Sequence, residues 1–175
     1  GGGGHAAGLR RPGPLDPGLA AGSLASRRLL LTGASGGVGH FFTELAAAQG
    51  GYVTAVTASA ERGVRLQALG ASAVVRQVGD AAGRFHVGLD SVGGDSTAAV
   101  LRKLHDDGLL IWFGQASRIA PTLDFFDWSG GRSGTIRKFD YTRSDVSVGQ
   151  DLATLVHLVA TGRLHPEIGL TADWE

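Results

Sequence analysis

The sequence contains no cysteine and no methionine among its 175 residues. The absence of cysteine excludes a disulfide framework, a thiolate nucleophile and any thiolate-held zinc or iron–sulfur centre within this chain. Because the chain begins with glycine and lacks methionine, we expect it to be a processed or trimmed piece of a longer protein. Its length suits one domain of average size.

Charge is sparse and balanced, with 16 Lys and Arg against 16 Asp and Glu and a net charge of +0. No segment carries a basic stripe, so non-specific binding of nucleic acid has no electrostatic basis. Hydrophobic residues make up 43% of the chain, yet no apolar run is long enough to cross a membrane. We therefore expect no membrane span, no signal peptide and a cytoplasmic location.

Glycine is in clear excess, at 29 of 175 residues, where about 7% is usual. Three of the five prolines fall within residues 1–26 together with four leading glycines, so we predict a linker or flexible N-terminal segment there. From residue 27 onward, blocks of Leu, Val and Ala recur between the glycines. This pattern predicts one folded domain over residues 27–165 and a truncated C-terminal connection over 166–175.

Strand-like and helix-like blocks alternate along the predicted domain. Short apolar runs predict six strands, over 28–32, 52–57, 73–76, 85–90, 108–113 and 134–139. Helical spacing of apolar residues predicts helices over 38–49, 61–69, 95–104 and 152–161, with Asp95 as the N-cap of the third. Such alternation is typical of βαβ units. We predict an α/β, Rossmann-type fold: a doubly wound, mostly parallel six-stranded sheet with helices on both faces.

A glycine-rich segment lies between the first predicted strand and the first helix, Thr32-Gly33-Ala34-Ser35-Gly36-Gly37-Val38-Gly39. A helix N-terminus offers unpaired N–H groups, and glycines let a pyrophosphate approach the backbone. The residues predicted to contact the phosphates are Ser35, Gly36, Gly37 and Val38. We expect Gly39 to face the sheet, where a side chain would displace the helix. The alternative is a purely structural turn.

The glycine-rich segment departs from the G-x-G-x-x-G fingerprint at one position, because Ala34 stands where its first glycine would be. The same residues fit the T-G-x-x-x-G-x-G pattern of the short-chain dehydrogenases, which need a Tyr followed four residues later by a Lys. Neither of the two tyrosines meets this requirement, since Val56 and Asp145 stand at that spacing. Short-chain catalysis therefore finds no support.

Further motifs follow in a fixed order: Leu69-Gly70-Ala71, Leu89-Asp90-Ser91-Val92-Gly93-Gly94, Gly108-Leu109-Leu110 leading into Phe113-Gly114, and Thr161-Gly162-Arg163-Leu164 before Pro166. Together with the glycine-rich segment, they resemble the coenzyme-binding domain of the medium-chain dehydrogenase/reductase superfamily, in its zinc-independent, quinone-oxidoreductase-like branch. The resemblance implies an NAD(P)-binding Rossmann domain over 27–165. It also implies hydride transfer to a quinone, enone or related carbonyl compound in the intact protein. A catalytic barrel domain would be missing from this chain, which we expect to be inactive alone.

The choice of cofactor is predicted from the end of the second strand. An NAD enzyme places an Asp or Glu there to bind the ribose hydroxyls, but this chain has Thr57-Ala58-Ser59. We predict NADPH in preference to NADH, with Ser59 and Arg62 as donors to the 2′-phosphate. The alternative for Arg62 is a solvated helix residue. By the resemblance, Arg76 after the third strand is a further candidate.

The remaining predicted cofactor contacts lie at the ends of other strands. Thr32 opens the glycine-rich segment, and the resemblance places Ser91, Val92, Phe113 and Gly114 beside the ribose and nicotinamide. Phe113 could equally belong to the core. The segment Phe125, Phe126 and Trp128 could wall a substrate cleft or pack against another domain.

No catalytic residue is assigned, because no side chain qualifies as a proton donor. The six histidines show neither H-E-x-x-H nor a close pair, so we predict no metal site. Alternative functions are a non-catalytic NADPH-binding or partner-binding module, an enoyl-reductase module of a larger synthase, and an S-adenosylmethionine methyltransferase. The last would need an acid after the second strand. The resemblance also implies a possible homodimer that pairs through the sixth strand.

Overall fold

The computed structural model describes residues 23–127, 133–140 and 147–168. Most of the predicted linker and of the C-terminal connection thus lies outside the described residues. The strands are β1 (Arg28–Leu31), β2 (Tyr52–Val56), β3 (Ala73–Val75), β4 (Phe85–Asp90), β5 (Leu104–Trp112) and β6 (Thr135–Lys138). The helices are α1 (Gly39–Ala48), α2 (Ala60–Ala68), α3 (Asp95–Arg102) and α4 (Val148–Ala160). In the described part of the chain, no helix combines the length and apolar character needed to cross a bilayer.

The six strands form one wholly parallel sheet in the order β3-β2-β1-β4-β5-β6. From β1 the chain moves outward to β3, crosses back to β4 beside β1, and moves outward again to β6. The strand order therefore reverses between β1 and β4, which is the arrangement of a doubly wound dinucleotide-binding sheet. The predicted fold is confirmed.

Two hydrophobic clusters cover the two faces of the sheet. Successive side chains of a strand point to opposite faces, and β1 follows this rule with three fully buried leucines. Leu29 and Leu31 pack in one cluster with Phe42 of α1, whereas Leu30 packs in the other with Val100 of α3. The central strand is thus buried on both sides, as expected where helices lie on both faces.

The boundary between α3 and β5 differs from the prediction. We expected Leu104 on the apolar face of the helix, but it begins β5, is fully buried and pairs with Phe85. The register then shifts, so that Val87 pairs with Leu109. Leu104 follows Val100 by four residues, and a single buried leucine at that spacing suits a helix face as well as a strand.

The start of α3 also differs by one residue from the prediction. Asp95 is the first helical residue and the N-cap is Gly94, whose φ of 56° lies in the left-handed region. A glycine adopts this conformation readily. Asp95 is therefore an acidic residue of the first turn, where it interacts favourably with the helix dipole.

Two histidines that are distant in sequence meet at the amino-terminal edge of the sheet. The ring centroids of His86 and His105 lie 4.8 Å apart, and His86 Nδ1 accepts a hydrogen bond from the Arg28 backbone N–H at 3.0 Å. Burial lowers the pKa of His86, and positive charge on His105, Arg27 and Arg28 lowers it further. Among the described residues, no group of three or more His, Asp or Glu could hold a metal ion.

The lowered pKa of His86 predicts that the protein loses stability in mild acid. Unfolded histidine titrates at about pH 6.5, whereas folded His86 takes up its proton at a lower pH. Between these two values the unfolded state binds more protons, so the free energy of unfolding falls as the pH falls. Urea unfolding at about pH 7.5 and about pH 5.5 should show this decrease.

A variant isolates the contribution of His86. The substitution His86→Gln should reduce the pH dependence, because glutamine can accept the Arg28 hydrogen bond without titrating. His157→Gln, at an exposed position on α4, is the matched control and should leave the pH dependence unchanged. An identical decrease in the His86 variant and the wild type would contradict the prediction.

Candidate functional site

The glycine-rich segment forms the turn between β1 and α1, at the carboxyl edge of the sheet. Ligands of doubly wound sheets bind outside this edge, where the strand order reverses. Ala34 is fully buried, and its N–H donates to Val56 O at the end of β2 at 3.3 Å. Ser35 is half-buried, and Gly36 and Gly37 are exposed. Ala34 stands where the fingerprint has its first glycine, and its methyl group therefore lies in the core. The following residues of the turn are partly or fully exposed to solvent.

The N-terminus of α1 is open. Its N-cap, Val38, makes no side-chain capping bond, and its first turn holds no acidic residue. In contrast, Ser59 and Ser147 cap α2 and α4. The first N–H groups of a helix lack intrahelical partners and carry partial positive charge, so α1 presents donors to an anion.

Gly39 is tightly packed against the backbone of the turn, whereas Gly37 borders open space. A Cβ on Gly39 would lie 2.4 Å from Gly33 O and 2.6 Å from Ala34 Cα, so no side chain fits between α1 and the turn. We expected Gly39 to face the sheet, but its close neighbour is the backbone of the turn. A Cβ on Gly37 would meet no atom within 4 Å. Packing does not require glycine at this position, and its absent side chain leaves the backbone accessible to a ligand.

Asp90, at the end of β4, belongs to one of the motifs quoted above, but the sequence did not predict a role for it. It is fully buried and connects the end of β1 to the loop after β4. Its carboxylate accepts hydrogen bonds from Thr32 Oγ1 (2.6 Å), Ser96 Oγ (3.0 Å), Val92 N (3.1 Å), Thr97 Oγ1 (2.6 Å) and Gly93 N (3.3 Å). These donors compensate the buried charge and fix the loop against β1.

Thr32 and Ser91, both predicted cofactor contacts, are hydrogen-bonded to each other at this junction. Thr32 is 1% exposed, and its hydroxyl oxygen accepts from Ser91 N at 3.2 Å while donating to Asp90. Ser91 Oγ in turn donates to Thr32 O at 3.1 Å. The Thr32 side chain points into the protein interior, so it supports the site through its hydrogen bonds to Asp90 and Ser91.

The loops after β4 and β5 lie side by side. Ser117 N donates to Val92 O at 2.9 Å, and a Cβ on Gly114 would lie 2.9 Å from Ser91 O. The predicted residues Ser91, Val92 and Gly114 are therefore brought together at the carboxyl edge, next to the glycine-rich turn.

Phe113 packs against the core. It is half-buried, and its ring centroid lies 5.5 Å from that of Phe42 on α1. Its backbone N–H donates to Asp90 O at 2.9 Å. The residue thus lies at the edge of the site with its ring directed toward α1.

A cleft of about 250 Å³ opens at the carboxyl ends of β2 and β3. Thr57 lines this cleft and is 7% exposed. Its hydroxyl donates to Ser35 Oγ at 2.9 Å, which connects the cleft to the glycine-rich turn. None of the described residues that line the cleft is acidic, and Thr57-Ala58-Ser59 directly follows β2.

The residues predicted to bind a 2′-phosphate differ in their position relative to this cleft. The described residues that line it include Ser59 and Arg76 but not Arg62. Ser59 Oγ accepts from Arg62 N at 3.2 Å, which leaves its hydroxyl proton available to a ligand. Arg76 Nη2 donates to Ala58 O at 3.4 Å, so its guanidinium lies over the end of β2.

Apolar side chains line a groove of about 560 Å³ between α1 and α4. Val38 and Phe41 line one side, and Leu152 and Val156 line the other. No residue of α4 is buried.

A second apolar surface contains Phe125 and Phe126, which are 80% and 75% exposed and meet edge to face at 5.3 Å. Trp128, predicted to belong to it, lies outside the described residues.

No model of a known protein family matches this chain, and no curated protein matches it in sequence. Solved structures do match. The quinone oxidoreductase of Pseudomonas syringae pv. tomato DC3000 has 21% identity and a TM-score of 0.69, covering 81% of this chain and 47% of that one. The Escherichia coli quinone oxidoreductase complexed with NADPH has 20% identity and a TM-score of 0.73, covering 85% and 49%. A mycobacterial protein complexed with NADPH has 22% identity and a TM-score of 0.69, and the match covers 84% of this chain and 52% of that one.

At these identities the likeness is one of fold. The expected resemblance to the coenzyme-binding domain of quinone oxidoreductases is confirmed at that level. This chain spans about half the length of the solved structures that it matches.

Proposed function

We propose that this chain is the NADPH-binding domain of an oxidoreductase. The observation that carries the proposal is the open N-terminus of α1 beside Gly37, whose missing side chain leaves empty space. A dinucleotide pyrophosphate fits this place, because the helix N–H groups would supply the donors that no side chain caps. The residues proposed to hold it are Ser35, Gly36, Gly37 and Val38. When bound, NADPH would supply a hydride for the reduction of a substrate.

The nicotinamide half is proposed to lie over the loops after β4 and β5. Ser91 and Val92 would contact it from one loop, and Phe113 and Gly114 from the other. Thr32 would contribute by holding Ser91 in place. The position of this edge at the reversal of strand order supports the proposal.

The 2′-phosphate of NADPH is proposed to bind in the cleft between β2 and β3. A guanidinium and a hydroxyl suit a phosphate, and Arg76 and Ser59 both line the cleft. Arg62 lies on the exposed side of α2, outside that lining. We therefore assign the main ionic contact to Arg76 and a secondary one to Arg62.

Calorimetric titration of the wild type with NADPH and with NADH tests this assignment. We expect NADPH to bind more tightly. Arg76→Ala should weaken NADPH binding about tenfold to a hundredfold, because a charge-assisted hydrogen bond contributes about 1.5–3 kcal/mol. NADH binding should stay unchanged in that variant, since NADH lacks the 2′-phosphate. Arg62→Ala should have a smaller effect on NADPH.

Arg163→Ala is the matched control, because Arg163 is exposed and lies after α4. It should bind both coenzymes as the wild type does. Failure of the wild type to bind NADPH would contradict the proposed function. Equal affinities of the wild type for both coenzymes would contradict the 2′-phosphate site alone.

The whole protein is proposed to reduce a quinone, an enone or a related carbonyl compound without zinc. Two of the solved structures that this chain resembles are quinone oxidoreductases, which supports this substrate class. Because the neighbours are about twice as long as this chain, we propose that a further catalytic domain supplies the substrate pocket and that this chain alone is inactive. The apolar groove between α1 and α4 supports contact with another part of the protein, since exposed apolar surfaces of this kind mark interfaces.

A homodimer that pairs through β6 is also proposed. All four residues of this strand, Thr135–Lys138, are exposed, and β6 lies at the edge of the sheet. An edge strand presents unpaired N–H and C=O groups to a second chain. We further propose a cytoplasmic location for the protein.

A further inference from the structure

Thr57, the first residue after β2, is 7% exposed and lines the cleft at the carboxyl ends of β2 and β3. Among the described residues, its hydroxyl has two hydrogen-bond partners. It lies 2.9 Å from Ser35 Oγ in the glycine-rich turn, and it accepts from Ser59 N at 3.3 Å. Ser35 is proposed to bind the pyrophosphate of NADPH, and Ser59 its 2′-phosphate. Thr57 therefore connects the two proposed phosphate subsites through a single oxygen atom.

These contacts fix the direction of the Thr57 hydroxyl proton. A backbone N–H can only donate, so Thr57 Oγ1 accepts from Ser59. If Ser35 also donated to Thr57, the Thr57 proton would have no acceptor among the described residues, and an unpaired buried donor is costly. The arrangement that satisfies every group has Thr57 donate to Ser35 Oγ. Ser35 then directs its own proton away from Thr57, and because Ser35 is half-buried, a ligand in the turn can accept that proton.

The same hydroxyl holds the segment that follows β2. Ser59 N–H donates to it, while Ser59 Oγ accepts from Arg62 N at 3.2 Å. The hydroxyl proton of Ser59 is thus left for a ligand. The intervening carbonyl, Ala58 O, accepts from Arg76 Nη2 at 3.4 Å. Thr57 therefore fixes the short segment that positions both the Ser59 hydroxyl and the Arg76 guanidinium at the cleft.

The chemistry of the coenzyme explains why such a connection is useful. The pyrophosphate and the 2′-phosphate of NADPH are attached to the same ribose, so a site for both must hold two sets of donors at one spacing. Phosphate oxygens accept hydrogen bonds, so each hydroxyl must present its proton to them and not a lone pair. A buried hydroxyl that is bonded to both sets of donors meets these two requirements.

We propose that Thr57 is a positioning residue for both phosphate groups of NADPH. Its hydroxyl directs the proton of Ser35 toward the pyrophosphate and holds Ser59, with the neighbouring Arg76, at the 2′-phosphate. Thr57 itself makes no bond to the coenzyme. This inference rests on the proposed function and adds to it a residue that acts through others.

Calorimetric titration of Thr57→Val with NADPH and with NADH tests the inference. Valine keeps the shape of threonine but can form neither hydrogen bond. We expect NADH affinity to fall about threefold, because the pyrophosphate loses an oriented donor. NADPH affinity should fall about tenfold or more, because the donors to the 2′-phosphate are displaced as well.

Two further variants serve as controls for Thr57→Val. Thr57→Ser keeps the hydroxyl and should bind both coenzymes as the wild type does. Thr54→Val makes the same change within β2, at a residue that is not among the described residues lining the cleft. It should also match the wild type.

A double-mutant cycle distinguishes positioning from a general structural effect. Ser35→Ala and Thr57→Val are measured singly and together with NADH, which lacks the 2′-phosphate. If Thr57 acts through Ser35, the double variant should bind NADH about as tightly as Ser35→Ala does. Losses of affinity that add in the double variant would overturn the inference, since a structural effect of valine would persist without the Ser35 hydroxyl.

Urea unfolding shows whether Thr57→Val is folded. If it is not, Thr57→Ala replaces it with the same expected results, because a smaller side chain at the cleft forces no overlap. If the wild type binds both coenzymes and the variant without the hydroxyl binds them equally well, the inference is overturned while the proposed function stands. If the wild type does not bind NADPH, both are overturned.

Discussion

Replacement of Asp90 by alanine is expected to lower the free energy of unfolding by about 3–5 kcal/mol. The substitution removes the acceptor of five hydrogen bonds in a fully buried place. Thr32 and Thr97 are each 1% exposed, so their hydroxyls cannot turn to water. An unsatisfied buried donor costs about 1–3 kcal/mol. Relaxation of the loop after β4 should recover part of the free energy lost when these five donors lose their acceptor.

Urea unfolding of matched variants measures the effect of the Asp90 substitution. Asp95→Ala makes the same change five residues later, at an exposed position in the first turn of α3. It should cost less than about 1 kcal/mol, the usual value for an acid at a helix N-terminus. Asp90→Asn should fall between the two, because one amide oxygen still accepts. If Asp90→Ala cost no more than Asp95→Ala, the network would not stabilise the fold as described.

Two glycine substitutions are expected to separate folding from binding. Gly39→Ala should destabilise the protein by about 3 kcal/mol, because its methyl group would lie 2.4 Å from Gly33 O. The obstruction is backbone, so no change of rotamer relieves it. Helix α1 must move away from the turn, and NADPH binding should be lost together with stability.

Gly37→Ala should leave the stability nearly unchanged but weaken NADPH binding. Its methyl group would meet no protein atom within 4 Å, and its φ lies outside the left-handed region. The free energy of unfolding should therefore change by less than about 1 kcal/mol. NADPH affinity should fall at least about tenfold, since the methyl group occupies the space proposed for the pyrophosphate. Unchanged NADPH affinity in this variant would contradict the assignment of phosphates to the turn.

The sequence was sufficient to predict the parallel sheet because each strand and helix is marked locally. The three leucines of β1 and the glycines after them specify a buried strand followed by a tight turn. The same local signals failed at Leu104, where one apolar residue fits two periodicities. Only its pairing with Phe85, a contact between distant parts of the chain, decides that it begins a strand.

The candidate site was predicted less completely, for a related reason. The glycine-rich turn could be read directly, but the hydrogen bond between Thr32 and Asp90 joins residues 58 positions apart. Spacing also carries no information on burial, so Thr57 could not be distinguished from an exposed threonine. Likewise, Arg62 and Arg76 both follow strands, and only the three-dimensional cleft separates them.

The pairing of β1 with both β2 and β4 has a consequence for synthesis on the ribosome. The unit β1-α1-β2 is complete at Val56, whereas the second neighbour of β1 ends at Asp90. At roughly 5–20 residues per second, translation of the intervening segment takes about two to seven seconds. During this interval one edge of β1 is unpaired and exposed to other nascent chains. The proposed coenzyme could not protect it, because the loop after β4, which would complete the proposed site, has not yet been made.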